Sequence, residues 1–140
     1  VINILIVTHG EFGAYLVEAA EEIVGRQESG VAAVSISSRL PVEEIRNRVQ
    51  VAVNDLRGAD GLIIGIDMPG GTPGNVCMPP AKDCADVSVV SGVNLYMLIT
   101  AFNGRRQDTL EKLVEKMLVA GKRSVADVKE VFRTKAGTGA

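Results

Sequence analysis

The 140-residue chain is 46% hydrophobic and 23% charged, the size and composition of one domain with a real core. A formal charge of −2 excludes a strong field for nucleic acid or anionic membranes, and a single histidine, His9, excludes a multi-histidine metal site or a two-histidine mechanism. Cys77 and Cys84 have no CxxC pair near them and read as free thiols; no run reaches the roughly 18 apolar residues of a membrane span, so a cytoplasmic protein without membrane insertion is expected.

Short apolar runs then alternate with helical stripes, the pattern of strands and helices around a parallel sheet. Residues 2–8 form the first run. Phe12, Tyr15, Leu16, Ala19, Ala20, Ile23 and Val24 follow at three-and-four spacing, and Gly25 is a natural stop. Residues 31–36 are the second strand. Pro41 suits the first turn of the next helix, whose stripe is Val42, Ile45, Val49, Ala52, Val53 and Leu56. Residues 61–66 are the most hydrophobic strand, ending in Asp67 and a Gly- and Pro-rich turn. Thr72 is predicted to cap a helix with Pro73 in its first turn, and Pro79-Pro80 to shorten or break it. Residues 87–91 are the fourth strand, and Asn94 leads into a helix from Leu95. Asp108 with Glu111 predicts a capping box for the last long helix, and residues 125–128 a weak further strand. The chain therefore reads as one α/β domain over residues 1–130 and a flexible tail over 131–140.

In an open parallel sheet, ligands bind beyond the carboxyl ends of the strands, where strand order reverses. His9 follows the first strand and Asp67 the third. Right-handed crossovers that put the second strand on one side of the first and the third on the other bring these two residues together. A neutral imidazole is a fair nucleophile toward phosphorus when one nitrogen is free and the other keeps its hydrogen, and Asp67 could hold that hydrogen. Gly70, Gly71 and Thr72 offer amides and a hydroxyl to phosphoryl oxygens at a helix start.

Val7-Thr8-His9-Gly10, Asp67, Gly70-Gly71-Thr72-Pro73 with Asn75, and Ser91-Gly92-Val93-Asn94-Leu95 with Met97-Leu98 resemble the enzyme IIA domain of the mannose/fructose/sorbose class of bacterial sugar phosphotransferase systems. The resemblance implies an open, doubly wound, mainly parallel sheet of order 2-1-3-4, flanked by helices, with an antiparallel edge strand often exchanged across a homodimer. It also implies that His9 takes a phosphoryl group from the histidine-containing phosphocarrier protein and passes it to a IIB component. Asp67 would orient His9, with Thr72 in the same pocket, and neither cofactor nor metal is expected. Two places depart from the family pattern: Gly74 stands where a bulky aromatic is usual, and Pro79-Pro80 enters a helix that is normally continuous. Both fall on the side where a partner would dock.

Partner docking is read from Arg39, after the second strand, from Gly74, and from the acidic excess of residues 1–70, which hold ten acids and five arginines. Other readings of the same residues are a regulatory IIA-like protein, the phosphotransferase subunit of dihydroxyacetone kinases, and a non-catalytic interaction domain. A receiver-type phosphoacceptor at Asp67 would need an acidic pair after the first strand, which Thr8-His9 does not supply.

Overall fold

A computed structural model describes residues 1–138. The elements run β1 (Asn3–His9), α1 (Phe12–Val24), β2 (Val31–Ile36), α2 (Val42–Leu56), β3 (Leu62–Ile66), α3 (Thr72–Ala81), β4 (Val87–Val90), α4 (Leu95–Gly104), α5 (Leu110–Ser124) and α6 (Val128–Thr138). The strands form one sheet of order β2-β1-β3-β4 in which every pairing is parallel. No antiparallel edge strand occurs among the described residues.

Alternation along β1 sends its side chains to two different cores. Ile4 and Ile6 face α1, α4 and α5, where Ala20, Leu98, Phe102, Leu113 and Met117 complete the packing. Leu5 and Val7 face α2 and α3, against Ile45, Val49, Val53, Val76 and Cys77. Burial on both faces explains why β1 and β3 read as continuous apolar runs. The two helical layers are the result of the reversal at β1: the chain leaves β1 on one face to reach β2, then crosses on the other to reach β3.

Several local expectations change. On α1 the buried face is Gly13 and Ala20, with Leu16, Val17 and Val24 packed beside them, while Phe12, Tyr15 and Ile23 are exposed. The prolines of α3 do not break it; they occupy the last turn, where the carbonyls of Asn75 and Val76 lose their donors just before the helix ends. Thr72 does not cap α3, because Gly71 at φ +82° takes that position. In α5 the cap is Thr109, whose side chain accepts the Lys112 N–H at 3.3 Å, while Asp108 pairs with Lys116 at 2.8 Å. The strand expected over residues 125–128 is absent, because Asp127 accepts the Glu130 N–H at 3.1 Å and caps α6. The segment read as a tail thus carries helix as far as Thr138; Gly139 and Ala140 lie outside the described residues. No helix of the described chain is long and apolar enough to cross a membrane.

Both cysteines are free. Cys77 is fully enclosed between α3 and the sheet, and burial pushes its thiol pKa up to about 12. Cys84 is half-buried, its Sγ 3.4 Å from the Pro80 carbonyl. A thiol reagent applied to the native protein is expected to modify Cys84 alone, with Cys77 reacting only on unfolding. Two equally fast thiols under native conditions would contradict this packing.

Candidate active site

Register brings the candidate residues together. Val7 pairs with Ile66 and His9 with Ile36, so Asp67, one step past Ile66, stands beside the end of β1. This is the carboxyl edge of the sheet, at the point where the chain reverses around β1. The β1–α1 turn is tied on its other side by the Gly10 N–H, which donates to the Ile36 carbonyl at 2.9 Å, and Gly10 adopts the left-handed conformation (φ +54°) that glycine accepts without strain.

One carboxylate oxygen holds His9 twice. The backbone N–H of His9 donates to Asp67 Oδ2 at 3.0 Å, and ring Nδ1 lies 2.8 Å from the same oxygen. The second oxygen, Oδ1, accepts the Met68 N–H at 3.0 Å. A carboxylate only accepts, so Nδ1 carries a hydrogen and, in the neutral ring, Nε2 is left with its lone pair. The His9 side chain is 52% exposed and that of Asp67 18%. The free nitrogen is therefore reachable by another macromolecule while its anchor is shielded.

Gly71 forms the other wall. A methyl group at Gly71 would stand 4.0 Å from both Cε1 and Nε2 of His9, inside the space beyond the free nitrogen. Gly71 also caps α3, whose first backbone bond runs from the Asn75 N–H to the Gly71 carbonyl. The amides of Thr72 and Gly74 consequently have no acceptor within the helix, and that end carries partial positive charge. Thr72 is half-buried and its hydroxyl has no hydrogen-bond partner among the described residues. Gly70 is exposed, with open space around its α-carbon.

The two residues read as partner contacts fare differently. Arg39 is exposed in the loop that follows β2, and its guanidinium pairs with nothing among the described residues. Gly74 is buried: a methyl group there would lie 2.5 Å from the Pro69 carbonyl oxygen. Its small size serves close packing of α3 under the preceding turn, and it offers no surface to a partner. Sequence reading also missed the exposure of Phe12 and Tyr15, shortly after His9 in the chain, because a helical apolar stripe alone does not say which of its residues face solvent.

Burial acts to raise the pKa of Asp67, but the hydrogen bonds from the His9 ring and backbone, with the adjacent imidazole charge, outweigh it and hold the carboxyl below its usual value. A carboxyl depressed in the folded state stabilises the fold above its unfolded pKa, and that contribution disappears as pH falls through the folded value. The stability difference between the native protein and Asp67→Asn, followed by urea denaturation, should accordingly be constant near neutrality and shrink below about pH 4. A difference that grows on acidification would have the wrong sign.

Comparison with known proteins gives a consistent result. The model of the family described as the phosphotransferase system (PTS) fructose IIA component matches residues 3–118. The PTS mannose-specific EIIAB component of Escherichia coli is 27% identical over 129 residues, covering 91% of this chain and 40% of that protein. This chain thus corresponds to well under half of that relative. The PTS fructose-specific EIIA component of Bacillus subtilis is 24% identical, covering 88% of this chain and 84% of its own. Among solved structures, the PTS component EIIA from Streptococcus agalactiae superimposes with a TM-score of 0.82 at 28% identity, over 93% of this chain and 99% of its own.

Proposed function

This chain belongs to the PTS fructose IIA component family, with a role in that phosphotransfer system, and we propose that it is a cytoplasmic phosphocarrier that accepts a phosphoryl group on Nε2 of His9. The donor is the phosphohistidine of the histidine-containing phosphocarrier protein, and the acceptor is a IIB component in sugar uptake. The observation that carries the reading is the double hold of Asp67 Oδ2 on His9, which commits the hydrogen to Nδ1 and leaves Nε2 nucleophilic.

In the transfer, the Nε2 lone pair forms the new N–P bond as the bond to the donor nitrogen breaks. Nδ1 keeps its hydrogen, so the product ring carries imidazolium charge, which Asp67 stabilises at 2.8 Å. The gap left by Gly71 admits the phosphoryl oxygens, and the Thr72 hydroxyl with the amino end of α3 meets their charge. Gly70 keeps the approach open. Arg39 belongs to the docking rim in this reading. Homodimer formation belongs to it as well, supported by Val128, Val131 and Phe132 of α6, which stand exposed in the single chain.

Incubation with phosphoenolpyruvate, enzyme I and the phosphocarrier protein is expected to place acid-labile, alkali-stable phosphate on His9, with the ring ¹⁵N spectrum assigning it to Nε2. Alkali-labile phosphate on Asp67, or no phosphate at all, would overturn the assignment.

A further inference from the structure

Among the described residues only two polar or charged side chains are buried, and one of them, Thr8, immediately precedes His9. Thr8 is fully enclosed. Strand alternation sends its side chain to the α1 face of the sheet, opposite to His9. There its Oγ1 accepts the Gly13 N–H at 2.7 Å. That amide is one of the donors an α-helix leaves unpaired in its first turn, and the residue in the usual capping position, Glu11, provides no side-chain cap. The strand residue does the work of the cap.

Gly13 is shaped for this contact. A methyl group at Gly13 would lie 2.8 Å from Ile6 Cγ2 and 2.9 Å from Thr8 Oγ1, so any larger residue would push α1 off β1. The β-branch of Thr8 restricts its χ1, so its hydroxyl is held with little rotamer freedom to lose. The segment between, His9, Gly10 and Glu11, is consequently pinned at three points: to α1 through Thr8, to β2 through the Gly10 N–H, and to β3 through Asp67. A buried amide that loses its acceptor must move to find another, and here the movement would be transmitted through three residues to the His9 main chain.

We propose that Thr8 is a positioning residue for His9: its hydroxyl, by holding the Gly13 N–H, fixes the turn from which the imidazole is aimed at Asp67. The inference deepens the phosphocarrier reading and rests on it for its kinetic consequence, but not for its spectroscopic one. Removing the hydroxyl loosens the approach of Nδ1 to Asp67 Oδ2, so the ring no longer keeps one tautomer and Nε2 is nucleophilic only part of the time.

The test compares Thr8→Val, which keeps the shape and loses the hydroxyl, with Thr8→Ser, which keeps the hydroxyl. Two measurements are made: the ¹⁵N shifts of the His9 ring, and the rate of phosphoryl acceptance over a range of phosphocarrier protein concentration. The native ring should show the Nδ1–H form alone and Thr8→Val a mixture. The saturated rate of Thr8→Val should fall about ten- to a hundredfold with KM little changed, since docking does not involve a buried residue. Thr8→Ser should return both tautomer and rate to near the native values, which a merely packing role for the side chain would not allow. If Thr8→Val does not fold, Thr8→Ala takes its place, measured the same way.

Native tautomer and native rate in Thr8→Val or Thr8→Ala would overturn the proposal, as would a folded Thr8→Ser as impaired as they are. If the native protein accepts no phosphate yet the ring of Thr8→Val still becomes mixed, the phosphocarrier reading falls and the positioning role of Thr8 stands.

Discussion

His9→Gln should accept no phosphoryl group, and Asp67→Ala should accept it about a hundred- to ten-thousandfold more slowly than the native protein. The first variant lacks the nucleophile. The second keeps it but releases the ring, because Asp67 Oδ2 receives both the backbone and the ring hydrogen of His9. Without that oxygen the hydrogen redistributes between the two nitrogens, and the charge that develops on the ring has no counterpart. Asp67→Asn is an informative intermediate. Its single carbonyl oxygen can take the place of Oδ2, but its amide then faces the Met68 N–H, donor against donor, where Oδ1 accepts at 3.0 Å. We expect it to fall between the native protein and Asp67→Ala in acceptance rate, measured by quenched-flow labelling from the phosphorylated phosphocarrier protein. Native rates in Asp67→Ala would remove the carboxylate from the mechanism.

The largest effect on stability should come from the opposite end of the sheet. Arg105, which closes α4, is 1% exposed and has no carboxylate partner among the described residues. Its Nε donates to the Ile2 carbonyl at 2.8 Å, and Nη1 to Gln27 Oε1 at 3.1 Å and to the Ser29 carbonyl at 3.0 Å. Its own carbonyl accepts the Ile2 N–H at 2.9 Å. One side chain therefore joins the end of α4, the start of β1 and the loop before β2. Burial, followed by the neighbouring charge of Arg106, lowers its pKa from the usual arginine value, the expected sign for a cation held by neutral dipoles. Arg105→Ala removes the donor to the buried Ile2 carbonyl and to the part-buried Ser29 carbonyl and leaves a cavity beside them, which together should cost about 3–5 kcal/mol in urea unfolding. Lysine cannot replace the planar fork and should recover little of it. Because the candidate site is at the carboxyl edge of the strands, the folded fraction of either variant should still present His9 to Asp67 as the native protein does.

The elements that were legible in the sequence are those whose signal is local and redundant. Leu62–Ile66 is buried at every position and reads as a strand from its apolar run alone. The helix from Leu95 reads from Asn94 onward, and the Asn94 side chain caps it by accepting the Met97 N–H at 3.2 Å. The pairing of His9 with Asp67 was legible for a different reason: two polar residues just past strand ends, combined with the fixed hand of crossovers, leave few arrangements. What failed depended on the partner of a group rather than on its identity. Residues 125–128 carry two valines and look like a weak strand, but a strand needs a neighbour, whereas Asp127 with Glu130 can begin a helix unaided. Gly74 looked like a missing docking side chain because the sequence does not show the Pro69 carbonyl packed against it. Thr8 reads in the sequence only as the end of an apolar run and a member of the His9 motif, since only the approach of Gly13 gives its hydroxyl a task.

The hold of a single oxygen on both the main chain and the ring of His9 has a consequence for signalling. On the proposed phosphocarrier reading, loading Nε2 would alter the charge of the ring while Asp67 Oδ2 still accepts from its ring and main chain and the Ile36 carbonyl from the Gly10 N–H. None of these ties would then change partner with the state of the ring. A partner that distinguishes the two forms would, on that reading, do so by contact with the phosphoryl group or its field at the turn itself, so control would take the form of competition for one small patch.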